Sequence, residues 1–359
     1  MGLCFEQTAT SGKSFDDISN ARAAALAGTT NTKDVGSICA RDAMRITHSA
    51  SETARGQRSG QFSLEPLRGL GQSLFPSSLP RHPMRTLASS SSRAAAVLST
   101  DQLRAEFLAA GLFVPGAANL LGWETDRAIM GAISPLATPL SLPNPAAVRS
   151  AFFLERREAG VINLGGPGSI TVDGTTHAME SLDALYLGRG AKDVAFASRD
   201  AAQPARFYLL SYPAHTAHPV RHVPIKDAKP DRLGARETAN ERLLYKLIHP
   251  GAFPSCQLVM GFTRLEPGSV WNTMPPHTHP RRSEVYCYFN VPANGAVFHF
   301  MGEPTATRHL VVRDLEIALS PPWSIHCGCG TAAYAFVWGM GGENQEFSDM
   351  DPAPVAGLR

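Results

Sequence analysis

The pattern of apolar and polar positions changes twice along the chain. Residues 1–83 are rich in Ser, Thr, Ala, Gly and scattered Arg, with no sustained apolar period. Such a segment cannot bury enough apolar surface to offset its conformational entropy, so it predicts a disordered N-terminal extension. Thr100 is a typical N-cap, and Leu103, Phe107 and Leu108 form one apolar face after it. This spacing predicts a short amphipathic helix.

Beyond that helix the apolar period becomes two, which is the period of a strand. The segment 169–176 alternates around Asp173 and Gly174, a strong signal for a hairpin. Three more strand-like runs follow it: Ala184–Leu187, Val194–Ala197 and Phe207–Ser211. A charged stretch, 227–243, predicts a connector, and a second block of strand-like runs extends from 257 to about 340. The pattern therefore predicts two β units in tandem, built as sandwiches or barrels.

Composition argues against electrostatic partners. The 359 residues carry a formal net charge of +2, and 18% are charged, below the roughly 25% of an average soluble protein. No strong field is present to attract nucleic acid or a membrane surface, so we expect neither partner.

Prolines interrupt each long uncharged run, which excludes a continuous membrane-spanning helix there. The first residues do not resemble a secretory signal, and the six cysteines form no dense framework, so we expect a cytoplasmic protein.

One short stretch of the second unit carries metal-ligand chemistry. His277 and His279 are two residues apart, so on a strand both imidazoles project from one face. Glu284 lies an odd step beyond His279, and we expect Pro280 to mark a bulge that restores the facing. His326 follows after an intervening pair of strands and is the fourth candidate.

Three imidazoles and one carboxylate suit a divalent transition metal, and zinc, iron and manganese all remain possible on these residues alone. An isolated His-x-His pair would favour hydrogen-bonded core histidines, but the combined spacing resembles the ligand set of a cupin barrel. His215 and His218 have no carboxylate at ligand spacing, so the first unit is predicted to lack a metal. Cys327, on the opposite strand face from His326, and Cys329 are left out of the site.

Longer blocks of sequence resemble a single family across roughly residues 84–359. These blocks are Phe153–Glu158, Gly160–Gly166, Cys256–Gly261, Trp271–Pro275, His277–His279, Arg281–Arg282, Glu284–Tyr286, Thr307–His309, Trp323–His326, Gly341–Gln345 and Asp349–Asp351. The family is that of the 5-keto-4-deoxyuronate isomerases, also named 4-deoxy-L-threo-5-hexosulose-uronate ketol-isomerases. Pro280, Ser283 and His218 depart from residues common in the family, and none of the three is a candidate ligand.

The resemblance implies a mainly β fold of two tandem cupin-like barrels, a bicupin, with a short N-terminal helix behind the disordered extension. The N-terminal barrel would span 84–245 without a metal, and the C-terminal metal-binding barrel would span 246–359. One zinc per subunit would be held by His277, His279, Glu284 and His326, with another divalent metal possible. The family also implies a homohexamer.

The activity implied is a metal-dependent aldose–ketose isomerisation. It converts 5-dehydro-4-deoxy-D-glucuronate to 3-deoxy-D-glycero-2,5-hexodiulosonate in the degradation of pectin and other uronates. The metal would polarise the carbonyl while a base moves the proton through an enediol. Glu343 is the candidate acid/base group, and Arg282 and Arg308 are candidates to clamp the substrate carboxylate.

Each of these assignments has an alternative. Glu343 also fits a structural carboxylate in its loop, and both arginines fit surface or subunit-interface ion pairs. The whole chain also fits a related cupin isomerase acting on 5-deoxy-glucuronate in inositol catabolism. More distant alternatives are a non-catalytic sugar-binding cupin and an Fe(II)-dependent dioxygenase.

Overall fold

A computed structural model describes residues 84–359. The predicted extension, 1–83, lies outside the described residues. The described part is mainly β, with two short α-helices, α1 (Ser92–Ala95) and α2 (Thr100–Phe107). It also has single-turn 3-10 helices at Thr125–Arg127, Ala146–Val148, Phe153–Glu155, Ile225–Asp227 and Val355–Gly357. None of the helices within 84–359 is long and apolar enough to cross a membrane.

Strands make up most of the rest. The first twelve are β1 (Arg85–Leu87), β2 (Leu108–Ala109), β3 (Ala118–Trp123), β4 (Ile129–Ile133), β5 (Leu140–Ser141), β6 (Arg157–Asn163), β7 (Gly168–Val172), β8 (Thr175–Met179), β9 (Ala184–Leu187), β10 (Val194–Ser198), β11 (Phe207–Pro213) and β12 (Arg221–Val223). The others are β13 (Asp231–Leu233), β14 (Arg242–Ile248), β15 (Val259–Leu265), β16 (Trp271–Asn272), β17 (His277–Thr278), β18 (Arg282–Phe289), β19 (Val297–Glu303), β20 (Ala306–Val312), β21 (Ile317–Ser320), β22 (Cys327–Gly330), β23 (Ala335–Gly342) and β24 (Asp351–Pro352).

The strand order repeats along the chain. A seven-stranded sheet has the order β1-β3-β4-β11-β6-β9-β12, and a four-stranded sheet has the order β5-β10-β7-β8. The second block gives a seven-stranded sheet, β13-β14-β15-β23-β18-β21-β2, and a four-stranded sheet, β16-β22-β19-β20. β17 and β24 form a separate pair. Positions in one block therefore have equivalents in the other: β6 lies between β11 and β9 as β18 lies between β23 and β21.

Local sequence signals locate several elements correctly. The predicted hairpin is formed by β7 and β8, with positive φ at Asp173 and Gly174. The three strand-like runs after it are β9, β10 and β11. Helix α2 begins at Thr100, but its N-cap is Ser99 rather than Thr100. Ser99 Oγ accepts from the Gln102 amide while Gln102 Oε1 accepts from the Ser99 amide, so the capping box is set one residue earlier than predicted.

The prediction of a connector at 227–243 is partly wrong. It contains β13 and the start of β14, which pair antiparallel at the edge of the second seven-stranded sheet. The predicted domain boundary at 245/246 falls inside β14. The opposite edge of that sheet is formed by β2, which pairs with β21. The second seven-stranded sheet thus includes β2, β13 and part of β14, which lie before residue 246. The division into barrels at 84–245 and 246–359 therefore stays a prediction.

Three apolar clusters form the core. One is lined by the first block, with Ile133, Val161 and Phe207 among its members. A second is lined by the second block and by helix α2, through Phe107. The third joins the two seven-stranded sheets, because Met130 and Leu210 of the first sheet belong to the same cluster as Met260 and Val337 of the second sheet. The site described next lies at the edge of the second cluster.

Candidate metal centre

His277, His279, Glu284 and His326 come together in the second block. One donor atom from each lies within 4.8 Å of the others. His277 is in β17, His279 follows it, Glu284 is in β18, and His326 directly precedes β22. The sequence predicted these four residues as one group, and the geometry brings them together. The predicted bulge at Pro280 is replaced by a break between strands: the chain turns between His279 and Arg282, whose amide donates to the His279 carbonyl at 2.9 Å.

The donor atoms converge closely. Nε2 of His279 and Nε2 of His326 each lie 2.9 Å from Oε2 of Glu284. Nε2 of His326 lies 3.0 Å from Nε2 of His277. Ligands about 2.0–2.2 Å from a common ion lie about 3 Å from one another. The spacing of these atoms therefore fits a single divalent cation.

Backbone carbonyls orient two of the rings. Nδ1 of His279 lies 2.9 Å from the Arg282 carbonyl, and Nδ1 of His326 lies 3.3 Å from the Ser324 carbonyl. A carbonyl can only accept, so each Nδ1 carries a proton, and each Nε2 is directed into the cluster, where it can coordinate a metal once it is unprotonated. This arrangement is usual for metal-binding histidines. The donor set and its supporting contacts thus fit a metal ion.

Burial and charge set the protonation of the cluster. Burial, with His326 nearby, lowers the pKa of His277 to about 3, so this ring is neutral at neutral pH. Burial alone would raise the pKa of Glu284, but His326 and His279 outweigh it and the pKa is lowered. Burial alone would lower the pKa of His279, but the hydrogen bond to Glu284 raises it instead. Without a metal, a proton shared between His279 and Glu284 partly neutralises the negative charge of the buried carboxylate.

A cavity of about 60 Å³ opens beside the cluster, and we call it the metal cavity. It is lined by Arg242, Leu244, Thr263, Asn272, Thr273, His277, His279, Arg282, Glu284, Tyr286, Phe336, Trp338, Met340, Phe347 and Met350. Three buried donors in this lining have no partner among the described residues: Asn272 Nδ2, Arg282 Nε and Trp338 Nε1. Buried donors are normally hydrogen-bonded. All three belong to residues of the cavity wall.

Comparison with known proteins finds relatives over most of the described residues. Residues 137–354 match the model of the KduI/IolB family. The chain is 51% identical over 261 residues to the 4-deoxy-L-threo-5-hexosulose-uronate ketol-isomerase of Lachnoclostridium phytofermentans, covering 73% of this chain and 95% of that protein. It is also 51% identical over 267 residues to the protein of the same name from Burkholderia cenocepacia, covering 74% and 96%.

The chain belongs to the KduI/IolB family.

The family assignment from sequence is thereby confirmed. A solved structure supports the fold: the chain is similar to an IolB-like protein from Salmonella typhimurium LT2, with a TM-score of 0.55 and 15% identity. That alignment covers 67% of this chain and 94% of the other. At this identity the likeness concerns the fold alone.

Of the two arginines predicted to bind substrate, Arg282 lies in the metal cavity of this KduI/IolB-family chain and Arg308 does not. Nη1 and Nη2 of Arg282 donate to the carbonyls of Glu346 and Asp349, both at 2.7 Å. Arg308 instead donates to the carbonyls of Ala95, Ala96 and Leu98, where it caps the end of helix α1. Its predicted role in substrate binding has no support in this geometry.

Glu343, the predicted acid/base group, is also absent from the residues that line the metal cavity within 84–359. Its side chain is exposed, and its amide donates to the Arg281 carbonyl at 3.0 Å. The role predicted for Glu343 stays a prediction, and the position favours the structural alternative.

Five polar residues of the metal cavity are not among the site residues predicted from the sequence: Arg242, Thr263, Asn272, Thr273 and Tyr286. Arg242 begins β14 inside the stretch predicted as a connector, so no local signal placed it near the histidines. Asn272 and Tyr286 belong to the family blocks around 271–275 and 284–286. Those blocks were the signal that could have identified both residues.

Proposed function

We propose that this chain is a metal-dependent ketol-isomerase that converts 5-dehydro-4-deoxy-D-glucuronate to 3-deoxy-D-glycero-2,5-hexodiulosonate. The observation that carries the proposal is the convergent His277, His279, Glu284 and His326 cluster beside a cavity lined by unpartnered donors. The relatives at 51% identity named for this type of reaction support it.

The reaction needs three things from the site. The substrate carboxylate must be held, the carbonyl oxygen must be stabilised as negative charge develops, and a proton must move between adjacent carbons. A divalent metal bound at the cluster supplies Lewis-acid polarisation of the carbonyl. We propose zinc as the resident metal, as the family resemblance implies. The protein's own side chains supply the remaining functions.

Arg242 is the group best placed to hold the substrate carboxylate. Its Nη1 donates to the Asn240 carbonyl at 2.9 Å, which orients the guanidinium while the side chain lines the metal cavity. Arg282, which the sequence also predicted, adds positive charge, but two of its nitrogens are already occupied by carbonyls. We therefore assign the clamp to Arg242, with Arg282 supporting it.

Tyr286 is the group we propose to move the proton between the two substrate oxygens: it donates to the carbonyl oxygen and recovers the proton that the neighbouring hydroxyl loses. It is buried and lines the metal cavity, and its ring centroid lies 5.7 Å from that of His326. Burial raises the pKa of Tyr286 well above its ordinary value, so the hydroxyl stays protonated and acts as a donor. Asn272 Nδ2, unpartnered in the described residues, is a second donor for developing negative charge.

The assembly and the domain arrangement are also proposals. The repeated strand order supports two tandem cupin-like barrels, 84–245 and 246–359, each built around its own apolar cluster. The family resemblance supports a homohexamer in the cytoplasm with one metal per subunit.

The test is an NMR assay of the purified protein with freshly prepared 5-dehydro-4-deoxy-D-glucuronate, with and without chelator. We expect turnover that chelator abolishes and added metal restores. His279→Ala should abolish turnover without unfolding the protein, whereas the matched control His309→Ala, at an exposed position of β20, should retain it. Full activity of metal-stripped His279→Ala protein would overturn the proposal.

A related isomerase acting on 5-deoxy-glucuronate is the second candidate, because the matching family includes IolB-type proteins. Assaying both substrates side by side separates the two. Binding of the uronate without turnover would indicate a sugar-binding module, and oxygen uptake by Fe(II)-loaded protein would indicate a dioxygenase.

A further inference from the structure

The first β block contains a second and larger cavity that the proposed isomerase reaction does not use. Its volume is about 450 Å³. It is lined by Met84, Thr86, Gly122, Trp123, Glu124, Arg127, Ala128, Ile129, Ala147, Val148, Arg156, Arg157 and Pro213. We call it the arginine cavity. Its volume lies in the range of about 300–1,000 Å³ that is usual for small-molecule sites.

One arginine of the arginine cavity has an equivalent in the lining of the metal cavity. Arg157 is the first residue of β6, as Arg282 is the first residue of β18. Two residues later, Ala159 pairs with the last residue of β9, and Glu284 pairs with the last residue of β21. The first block therefore has an arginine at the position of Arg282, but at the position of the Glu284 carboxylate it has the methyl group of Ala159.

The charge of the arginine cavity is not balanced by the described residues. Three guanidinium groups line it, from Arg127, Arg156 and Arg157, and none forms an ion pair with a carboxylate within 84–359. The one carboxylate in the lining is that of Glu124, which is exposed and lies 3.4 Å from the Ser89 amide. An excess of positive charge thus remains for an anion to neutralise.

Arg157 is held rigidly in the wall of this cavity. It is 7% exposed, its Nε donates to Ser211 Oγ, and its Nη2 donates to the carbonyls of Arg127 and Ser211. Its Nη1 has no partner among the described residues. Burial, and then Arg127, lower the pKa of Arg157 to about 10, so the fixed guanidinium of Arg157 and the exposed guanidinium of Arg127, unbonded within 84–359, lie beside one open volume. Oriented cations of this kind are typical of carboxylate recognition.

We infer that the arginine cavity binds a small sugar acid, with its carboxylate against Arg127 and Arg157. The volume exceeds that of a bare inorganic ion, and Trp123, Ile129 and Val148 provide apolar surface beside the cations for the body of such a ligand. The polar rim, at Thr86 and Glu124, can hydrogen-bond hydroxyl groups. This inference concerns a second site and does not depend on the proposed isomerase activity.

The test is calorimetric titration of the full-length, chelator-treated protein with D-glucuronate. Arg127→Gln is the informative variant, because the Arg127 side chain makes no hydrogen bond within the described residues and its loss should leave the fold intact. We expect it to weaken D-glucuronate binding at least tenfold, the equivalent of about 1.4 kcal/mol. Arg127→Lys should weaken binding less, because it keeps the charge but not the bidentate geometry. Arg221→Gln, the same charge loss at an exposed position of β12, should leave binding unchanged.

Each other outcome contradicts the inference. Absence of binding at millimolar D-glucuronate, or equal weakening by Arg127→Gln and Arg221→Gln, would overturn it. Equal affinity for inorganic phosphate or acetate would show that the cavity recognises only charge, and equal affinity for D-glucose would show that it does not recognise the carboxylate. Binding that is lost in Arg242→Gln but kept in Arg127→Gln would place the ligand in the metal cavity. Isomerase turnover should be unchanged in Arg127→Gln, so failure of this inference is distinguishable from failure of the proposed function.

Discussion

His279 is the residue at which a proton would compete with a bound metal. Its Nε2 lies 2.9 Å from Glu284, and this contact raises the pKa of the ring despite its burial. A metal ligand must be unprotonated at the coordinating nitrogen. Because His277 and Glu284 have lowered pKa values, His279 is the member of the cluster that we expect to lose a proton when a metal binds near neutral pH.

We therefore predict that metal affinity falls as the pH decreases through the raised pKa of His279. The sign follows from the direction of the shift. Below its raised pKa, His279 is protonated in the metal-free folded state, so a metal must displace this proton in order to bind, which lowers its affinity. Zinc titrations against a competing chelator between pH 6 and pH 8.5, in buffers of different ionisation enthalpy, measure both the affinity and the protons released. Affinity independent of pH over this range would contradict the prediction.

Arg308 gives a second prediction, because it caps helix α1 and does not lie in the metal cavity. Arg308→Gln removes hydrogen bonds to the carbonyls of Ala95, Ala96 and Leu98. We expect a loss of about 1–3 kcal/mol in the free energy of unfolding, with KM unchanged, as measured by urea denaturation and steady-state kinetics. A raised KM in Arg308→Gln would support its predicted role in substrate binding.

Arg242→Gln should show the converse of Arg308→Gln: KM should rise about tenfold or more, with little change in the free energy of unfolding.

These residues show how far sequence reasoning reaches at this scale. The four ligands were predictable because their types and spacing match a known ligand set. Arg242 was not, since it reaches the cavity through pairing of β14 with β15 and not through any neighbour in sequence. Arg308 has the chemistry of a carboxylate clamp, but only the packing of α1 against β19 and of α2 against β20 determines where its side chain lies.

At the scale of elements, a buried carboxylate connects the two blocks. Glu158 in β6 is fully buried and accepts hydrogen bonds from the amides of Cys256, Gln257 and Leu258. It also accepts from Tyr186 Oη at 2.7 Å. These contacts fasten the loop before β15 to the first seven-stranded sheet. The same loop leads directly into the strands of the metal centre.

Glu158→Gln should therefore destabilise the protein strongly. The amide keeps the shape of the carboxylate but turns one acceptor into a donor facing backbone N–H groups. We expect a loss of about 3–5 kcal/mol in the free energy of unfolding, since charged hydrogen bonds are worth about 1.5–3 kcal/mol and an unpaired buried donor adds to the cost. Urea denaturation measures it, with Glu155→Gln as the matched control, because the Glu155 carboxylate accepts from a single amide, that of Ala151. Equal effects of the two variants would contradict this role.

Elements defined by local chemistry were predictable, and those defined by distant partners were not. The β7–β8 hairpin follows from its Asp-Gly turn, and α2 follows from its apolar face, although its N-cap is Ser99 and not the predicted Thr100. β2 gives no such signal, because two residues become a strand only when β21 is beside them. The predicted connector likewise became β13 and β14 through pairing with each other.

At the scale of the whole molecule, the core joining the two seven-stranded sheets couples their stabilities. Met130, Tyr208 and Leu210 of the first block pack in one cluster with Met260, Val285 and Val337 of the second. A ligand that binds only the folded state stabilises it by about 4 kcal/mol at a thousandfold excess over Kd. Metal bound in the second block should therefore also stabilise the first.

We predict that zinc raises the thermal midpoint of a single unfolding transition and that chelator lowers it. Calorimetry should show both blocks unfolding together, and His279→Ala should remove the response to zinc. Two separate transitions, of which only one responds to zinc, would show that the shared core does not couple the blocks.

The pairing of β2 with β21 also has a consequence for biosynthesis. Ala318 is added to the growing chain 210 residues after Leu108, its partner across the two strands. At about 5–20 residues per second, this interval is roughly 10–40 s, during which the edge strand has no neighbour to pair with. The first block can complete its sheets on the ribosome in this time, whereas the sheet that contains Glu284 must wait for β21 and β23 to be made before the early segment β2 takes its place at the edge.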